Sequence, residues 1–183
     1  QRASGQGHQD FLNWQVTTTY AEEGKRKTVI QYFDGTLRGR QTVTKDNSQS
    51  TATTVVAESF YDYQGRPLIQ VLPSPTLNTI IQFTKNFNQF DDTRNAKTVY
   101  DKLDVNQSSC NKLTAAMKTT ATGSAAQYYS ANNPKVNEGF NKYIPDAGGY
   151  PYTETRYTSD GTGRIDVQGG VGQVFQVNGG RGT

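Results

Sequence analysis

Asp34, Asp62 and Asp160 are the carboxylates in this chain best placed to do chemistry, each within three residues of a glycine and a short way before an arginine. Two carboxylates brought together could act as general acid and general base. Turn capping accounts for the same residues, because an Asp side chain accepts hydrogen bonds from the backbone N–H groups of its own turn. Asp91 and Asp92 with Asn88 offer oxygens to a hard cation, but fewer than such a cation needs. Cys110 and His8 are the single cysteine and the single histidine. A Cys/His nucleophile pair is weakly supported by residues so far apart, and Cys110 reads as a packed thiol with no intrachain disulfide available to it. Gly161-Thr162-Gly163 lacks the Lys-Ser/Thr and the strand–helix setting of a phosphate loop. The serines sit in no nucleophile elbow. These residues predict no catalytic centre, no cofactor site and no metal site.

The elements that must position these residues come from a composition poor in aliphatic core formers. Only 33% of the 183 residues are apolar, while eleven Tyr and eight Phe supply much of what can be buried. Aromatics bury a large area each, which suits thin β-layers. Nineteen basic and sixteen acidic residues leave a net charge of +3, spread along the chain. Lys25-Arg26-Lys27 follows Glu22-Glu23 and reads as a solvated hairpin turn. A nucleic-acid surface would need more like charges on one face. No run approaches the ~18 apolar residues of a membrane span. The chain opens on Gln1, which predicts a processed product or a piece of a longer one.

Residues 29–43 and 57–71 read as two copies of one unit. Each has a β-prone run, an aromatic–Asp pair, a turn containing Gly, an Arg and a second β-prone run. Strands are predicted at 13–20, 26–33, 38–45, 52–63, 66–72 and 77–83, with Pro73 and Pro75 stopping the fifth. The turn residues are taken as Asp34, Gly35, Gly39 and Arg40 in the first unit and Tyr61, Asp62, Gly65 and Arg66 in the second. Residues 85–108 read as irregular. Leu113, Ala116, Met117 and Ala121 lie at helical spacing and predict one helix over 111–128. Tyr152–Tyr157 is a further strand, leading into a looser third unit with Asp160, Gly163 and Arg164. The expected organisation is a polar tail at 1–12, β-hairpin repeats at 13–83, an irregular and helical insertion at 84–149, and a last β-segment at 150–183. Its Gly-rich end predicts that the natural chain continues.

Tyr61-Asp62-Tyr63-Gln64-Gly65-Arg66-Pro67 resembles the YD repeat of Rhs proteins: Tyr-Asp, two residues, then Gly-Arg. Residues 32–45, with Phe33-Asp34-Gly35, and residues 150–157, with Gly163-Arg164 and Gln168-Gly169-Gly170-Val171-Gly172 after them, are similar to segments of large secreted Rhs-type proteins of Bacteroidetes. The first unit departs by two residues, Leu37-Arg38, standing before Gly39-Arg40, and the third by Tyr157-Thr158 in place of Tyr-Asp. The resemblance implies mainly β structure: stacked antiparallel hairpins winding into a hollow shell that encloses or presents a C-terminal effector absent from this chain. It also implies a secreted or cell-surface location. The partners it implies are the rest of a larger chain or other chains covering the strand edges, and a bacterial secretion or outer-membrane complex. No nucleic acid is expected. The other reading is a surface adhesin or carbohydrate-binding β-module, in which Trp14 and exposed tyrosines stack on sugars.

Overall fold

The computed structural model describes residues 9, 11–47, 53–62, 64–89, 116–117, 122–177 and 179. Its frame is mainly β: one open sheet of seven antiparallel strands whose spatial order is their order in the chain. The strands are β1 (Asn13–Tyr20), β2 (Arg26–Phe33), β3 (Gly39–Asp46), β4 (Thr54–Tyr61), β5 (Pro67–Pro75), β6 (Tyr152–Tyr157) and β7 (Ile165–Gly169). Consecutive strands pair as hairpins, apart from β5 and β6, which meet after the long excursion between residues 75 and 152. The ends Ala52 and Tyr63 of the expected fourth strand lie outside the described residues.

Period-2 alternation sets which face is covered. Along β4 the alternate residues Thr54, Val56, Glu58 and Phe60 are buried. Two apolar clusters share that strand. Ile30, Tyr32, Val43, Val56 and Phe87 form one, with Trp14, Ile81 and Phe83 packed against it. Phe60, Ile69, Val71, Met117, Ala125, Ala126 and Tyr152 form the other. The edge strand β1 is mostly exposed.

Three expectations are corrected. First, β5 runs on through Pro73 to Pro75. Its pairing with β4 jumps from Val56↔Ser74 to Glu58↔Val71, so Pro73 sits in a bulge, where a proline leaves no ladder bond unmade. Second, residues 77–83 form no strand. This apolar run lies against the sheet, with Phe83 edge-on to Tyr32 at 5.4 Å. Its backbone is held at separate points: the Asn78 carbonyl accepts the Thr54 N–H and the Phe83 N–H donates to Gln9 Oε1, while the next residue, Thr84, donates its N–H to Gln41 Oε1.

Third, of the described residues in 111–128, only the single turn α1 (Ala125–Tyr128) is helical. Gly123 has φ 76°, and Ser124 is extended and caps α1 by accepting from Gln127 N–H at 3.2 Å. Met117 lies upstream of that break in an extended bridge, its N–H donating to the Gly149 carbonyl at 2.7 Å. It fills the core, as its type predicts. Leu113 and Ala121 lie outside the described residues, as do Cys110 and His8. No described helix is long and apolar enough to cross a membrane.

Candidate functional site

The hairpins β2–β3, β4–β5 and β6–β7 turn at the same end of the sheet, and their turns repeat one device. In the first, the Asp34 N–H donates to the Arg38 carbonyl at 2.9 Å and the Leu37 N–H to the Asp34 carbonyl at 3.0 Å. In the second, the Asp62 N–H donates to the Arg66 carbonyl at 2.9 Å and the Gly65 N–H to the Asp62 carbonyl at 2.9 Å. One carboxylate oxygen of each Asp accepts two backbone N–H groups: Thr36 and Arg38 on Asp34, Gln64 and Arg66 on Asp62. The other takes the guanidinium Nε, at 2.9 Å from Arg38 and 2.6 Å from Arg66. Burial raises the Asp34 pKa, but the Thr36 hydroxyl, the two backbone N–H groups and Arg38 outweigh it and hold the carboxyl down at about 2.

The third turn reaches the same end by a longer path. Thr158 donates its N–H to the Arg164 carbonyl at 2.9 Å, so it stands where Asp34 and Asp62 stand. Asp160, two residues on, binds Arg164 Nη2 at 2.6 Å and the Thr158 and Thr162 hydroxyls. These three donors depress its pKa. The residue before each arginine is left-handed in all three turns: Leu37 at φ 62°, Gly65 at 84° and Gly163 at 77°. A bulge then follows at the same step each time. Tyr32↔Gln41 gives way to Phe33↔Gly39, Phe60↔Ile69 to Tyr61↔Pro67, and Arg156↔Val167 to Tyr157↔Ile165.

This equivalence corrects the reading of the first unit. Leu37 and Arg38 are the counterparts of Gly65 and Arg66. Gly39 and Arg40 are the first two residues of β3, and Arg40 is the bulged residue, its guanidinium 4.6 Å from the Phe60 ring. Gly35 is not left-handed, and a Cβ there would meet open space. Asp34, Tyr61, Asp62, Gly65, Arg66, Asp160, Gly163 and Arg164 all lie in the turns or at their edge.

The turns are linked into a ladder in which an arginine of one unit meets an aromatic ring of the next. Arg38 lies 5.1 Å from the Tyr61 ring, and the Tyr61 hydroxyl donates to the Gly39 carbonyl at 2.9 Å. Arg66 lies 4.3 Å from the Tyr157 ring, and the Tyr157 hydroxyl donates to the Pro67 carbonyl at 3.0 Å. Each Tyr thus covers the arginine of the preceding turn and bonds to the carbonyl next after it. Phe33 holds the equivalent place on β2, where no turn of this kind precedes it among the described residues, and it has no hydroxyl. Arg66 Nη1 is buried with no hydrogen-bond partner among the described residues. The ring face of Tyr157 meets that guanidinium instead.

A buried polar network ties the sheet to the segments over it. Glu58 accepts from Gln41 Nε2 at 2.6 Å and from Asn88 Nδ2 at 2.7 Å. Asn88 Oδ1 in turn accepts the Ala125 N–H at 3.2 Å. Burial pushes the Glu58 carboxyl up to about 7, against the pull of these two amides and Arg40. Asn88 is therefore a structural bracket. Asp91 and Asp92 lie outside the described residues, and no group of three or more His, Cys, Asp or Glu residues among the described ones is placed to hold a metal. Glu58 had no signal in the sequence beyond its place on the apolar face of an alternating strand.

The comparison with curated proteins found no match, and neither did the comparison with solved structures. One family model, a domain of unknown function (DUF6443), matches residues 12–127, which takes in five of the seven strands, two of the three turns and the Glu58 network. That match spans more than half of the chain, and the protein belongs to the DUF6443 family.

Proposed function

We propose that this chain is a non-catalytic wall segment of a large secreted or cell-surface β-shell of the Rhs/YD-repeat kind, one that encloses or presents an effector carried elsewhere. The observation that carries this reading is the ladder: one turn device occurs three times, and each later unit is locked to the preceding one by a tyrosine over an arginine. Such a device extends a sheet by a fixed step and makes a surface. The carboxylates that might have done chemistry are engaged in holding it. Asp34 and Asp62 each take two backbone N–H groups and a guanidinium. Three rings along the turn end serve the same ladder and carry arginines, Tyr61 with Arg38, Phe60 with Arg40 and Tyr157 with Arg66. The order Tyr-Asp, two residues, Gly-Arg at 61–66 adds the family likeness. A bacterial, exported product follows from the same likeness.

The test is to capture the native product from its source with an antibody to residues 13–83, measure its intact mass and image it by electron microscopy. The expected result is a mass several times the 20.2 kDa of this chain and a hollow β-walled particle. A 20.2 kDa product with no shell overturns the proposal.

A further inference from the structure

The third turn is built like the other two, yet among the described residues no ring lies over its arginine. The Arg164 side chain is 71% exposed, against 33% for Arg38 and 20% for Arg66. Asp160 nevertheless holds the guanidinium in place at 2.6 Å, and Thr162 Oγ1 takes its Nε at 3.2 Å. The strand that follows, β7, pairs with β6 alone among the described residues, and no described strand lies along its other edge. Ile165, at its start, is exposed. An unpaired edge of this kind is a template for another strand.

We propose that β7 and the Asp160 turn form a docking edge for one further hairpin of the same kind: an antiparallel strand whose last residue is a tyrosine, its ring over the Arg164 guanidinium and its hydroxyl on the Ile165 carbonyl. The proposal rests on the wall-segment reading and names the partner of that wall. Its ground is continuity with an interface the molecule forms twice. Tyr61 enters the Arg38 turn and bonds to the carbonyl of the residue after Arg38; Tyr157 does the same at Arg66 and Pro67. Ile165 is the residue after Arg164. A second copy of this chain added by its β1 edge fits poorly. β1 starts at the turn end of the sheet, as β7 does, so the two would pair parallel, and β1 brings Asn13 there with no tyrosine.

The probe is a synthetic hairpin with the sequence of residues 54–75, which ends its first strand in Tyr61-Asp62. Amide hydrogen exchange of the 183-residue chain is followed as the hairpin is added. In a second arm the hairpin carries a flexible linker ending in a cysteine activated as a pyridyl disulfide. The thiol of Asp166→Cys, in a Cys110→Ser background, displaces the pyridinethiol and forms the tether, which raises the effective concentration to about the millimolar range. The expected result is new protection confined to residues 165–169. Arg164→Lys, which keeps the charge but loses the flat guanidinium, is expected to weaken the free hairpin roughly threefold to thirtyfold. Removing the hydroxyl from the probe with Tyr61→Phe weakens it as well. Protection of residues 13–20 instead, equal binding after Arg164→Lys, or exchange at β7 unchanged by the tethered hairpin overturns the proposal. A native product that images as a shell while the tethered hairpin leaves β7 unprotected retires this docking geometry alone and leaves the wall-segment reading standing.

Discussion

The turn at Asp62 and the turn at Asp160 share the order Asp, two residues, Gly, Arg, and they differ in what lies around them. The first is in the interior of the sheet's rim. Its aspartate is buried, its arginine lies under Tyr157, and the strands on either side are paired. The second is at the open edge, and its aspartate and arginine face water. The spacing brings Asp and Arg together in both, while the paths differ: Asp62 itself donates its N–H to the Arg66 carbonyl, and at the third turn Thr158 donates to that of Arg164. The neighbours decide how much the ion pair and the caps contribute, because a charge pair in water is worth little while one partner left alone in a buried pair is costly.

The largest test of this contrast is a pair of alanine substitutions. Asp62→Ala removes the acceptor of two backbone N–H groups and strands Arg66 beneath a ring. A loss of about 3–5 kcal/mol is expected, which lowers the melting temperature by roughly 10 °C in a chain of this size. Asp160→Ala is expected to move it far less. Equal losses at the two sites would mean that the turn sequence alone sets the energy and would break the comparison.

The same contrast of interior and edge extends to the buried glutamates. Glu58, on a central strand, has its pKa raised by burial to about 7. Glu154, one strand from the edge, is also raised by burial but has the neighbouring Arg156 at 2.5 Å to oppose it. A carboxyl whose folded pKa lies above its unfolded value binds its proton more tightly in the folded state. Its contribution is complete below the ordinary value of 4.5 and is lost as pH rises through 7. Denaturant melts are therefore expected to show stability falling by about 3 kcal/mol over that window. Glu58→Gln should remove the slope while lowering the plateau, since its amide turns a donor toward one of the two amides that now donate to it. A slope that persists in Glu58→Gln would assign it to another group.

Gly65→Val probes the left-handed position at the interior turn. The residue has φ 84°, and its new Cβ would stand 2.6 Å from Arg38 Nη1. A β-branched residue held there costs about 2 kcal/mol. Gly163→Val has the same backbone strain at φ 77° but nothing within 4 Å of the new Cβ. It should cost less, and thermal melts of the two variants side by side measure the share that belongs to the crowding.

Strand type was legible because alternation survives from Thr54 to Phe60 and at Ile30–Tyr32, where one face alone is covered. The second turn was legible because Asp62, Gly65 and Arg66 each have one local job. The first was misread because a leucine occupies its left-handed position, so the nearest Gly-Arg pair, two residues further on, drew the assignment. The ladder was legible in kind, because an arginine after such a turn can pair with a carboxylate or stack on an aromatic of the next unit, but not in its pairs: Arg38 meets Tyr61 and Arg66 meets Tyr157 only once strand register brings them together. The helix was overextended because Met117 and Ala116 lie at helical spacing yet are separated from α1 by the left-handed Gly123. The apolar residues 77–83 were read as a strand from their β-prone types, whereas their backbone is held at isolated points by distant residues, Thr54 at Asn78 and the Gln9 side chain at Phe83.

The smallest predicted effect concerns that leucine. Leu37 is exposed, and at φ 62° it holds a conformation that costs an L-residue with a Cβ about 1–2 kcal/mol and glycine almost nothing. Glycine in turn loses more freedom on folding, which returns roughly half of the gain. Leu37→Gly should therefore stabilise the chain by up to about 1 kcal/mol, in contrast to the loss expected at Gly65→Val. It should leave the Tyr61–Gly39 hydrogen bond and the Arg38–Tyr61 stack in place, since neither uses the leucine side chain. Matched denaturant melts decide the sign. A loss of stability would show that Leu37 makes a contact outside the turn, and the two interior turns would then be equivalent in path and unlike in role.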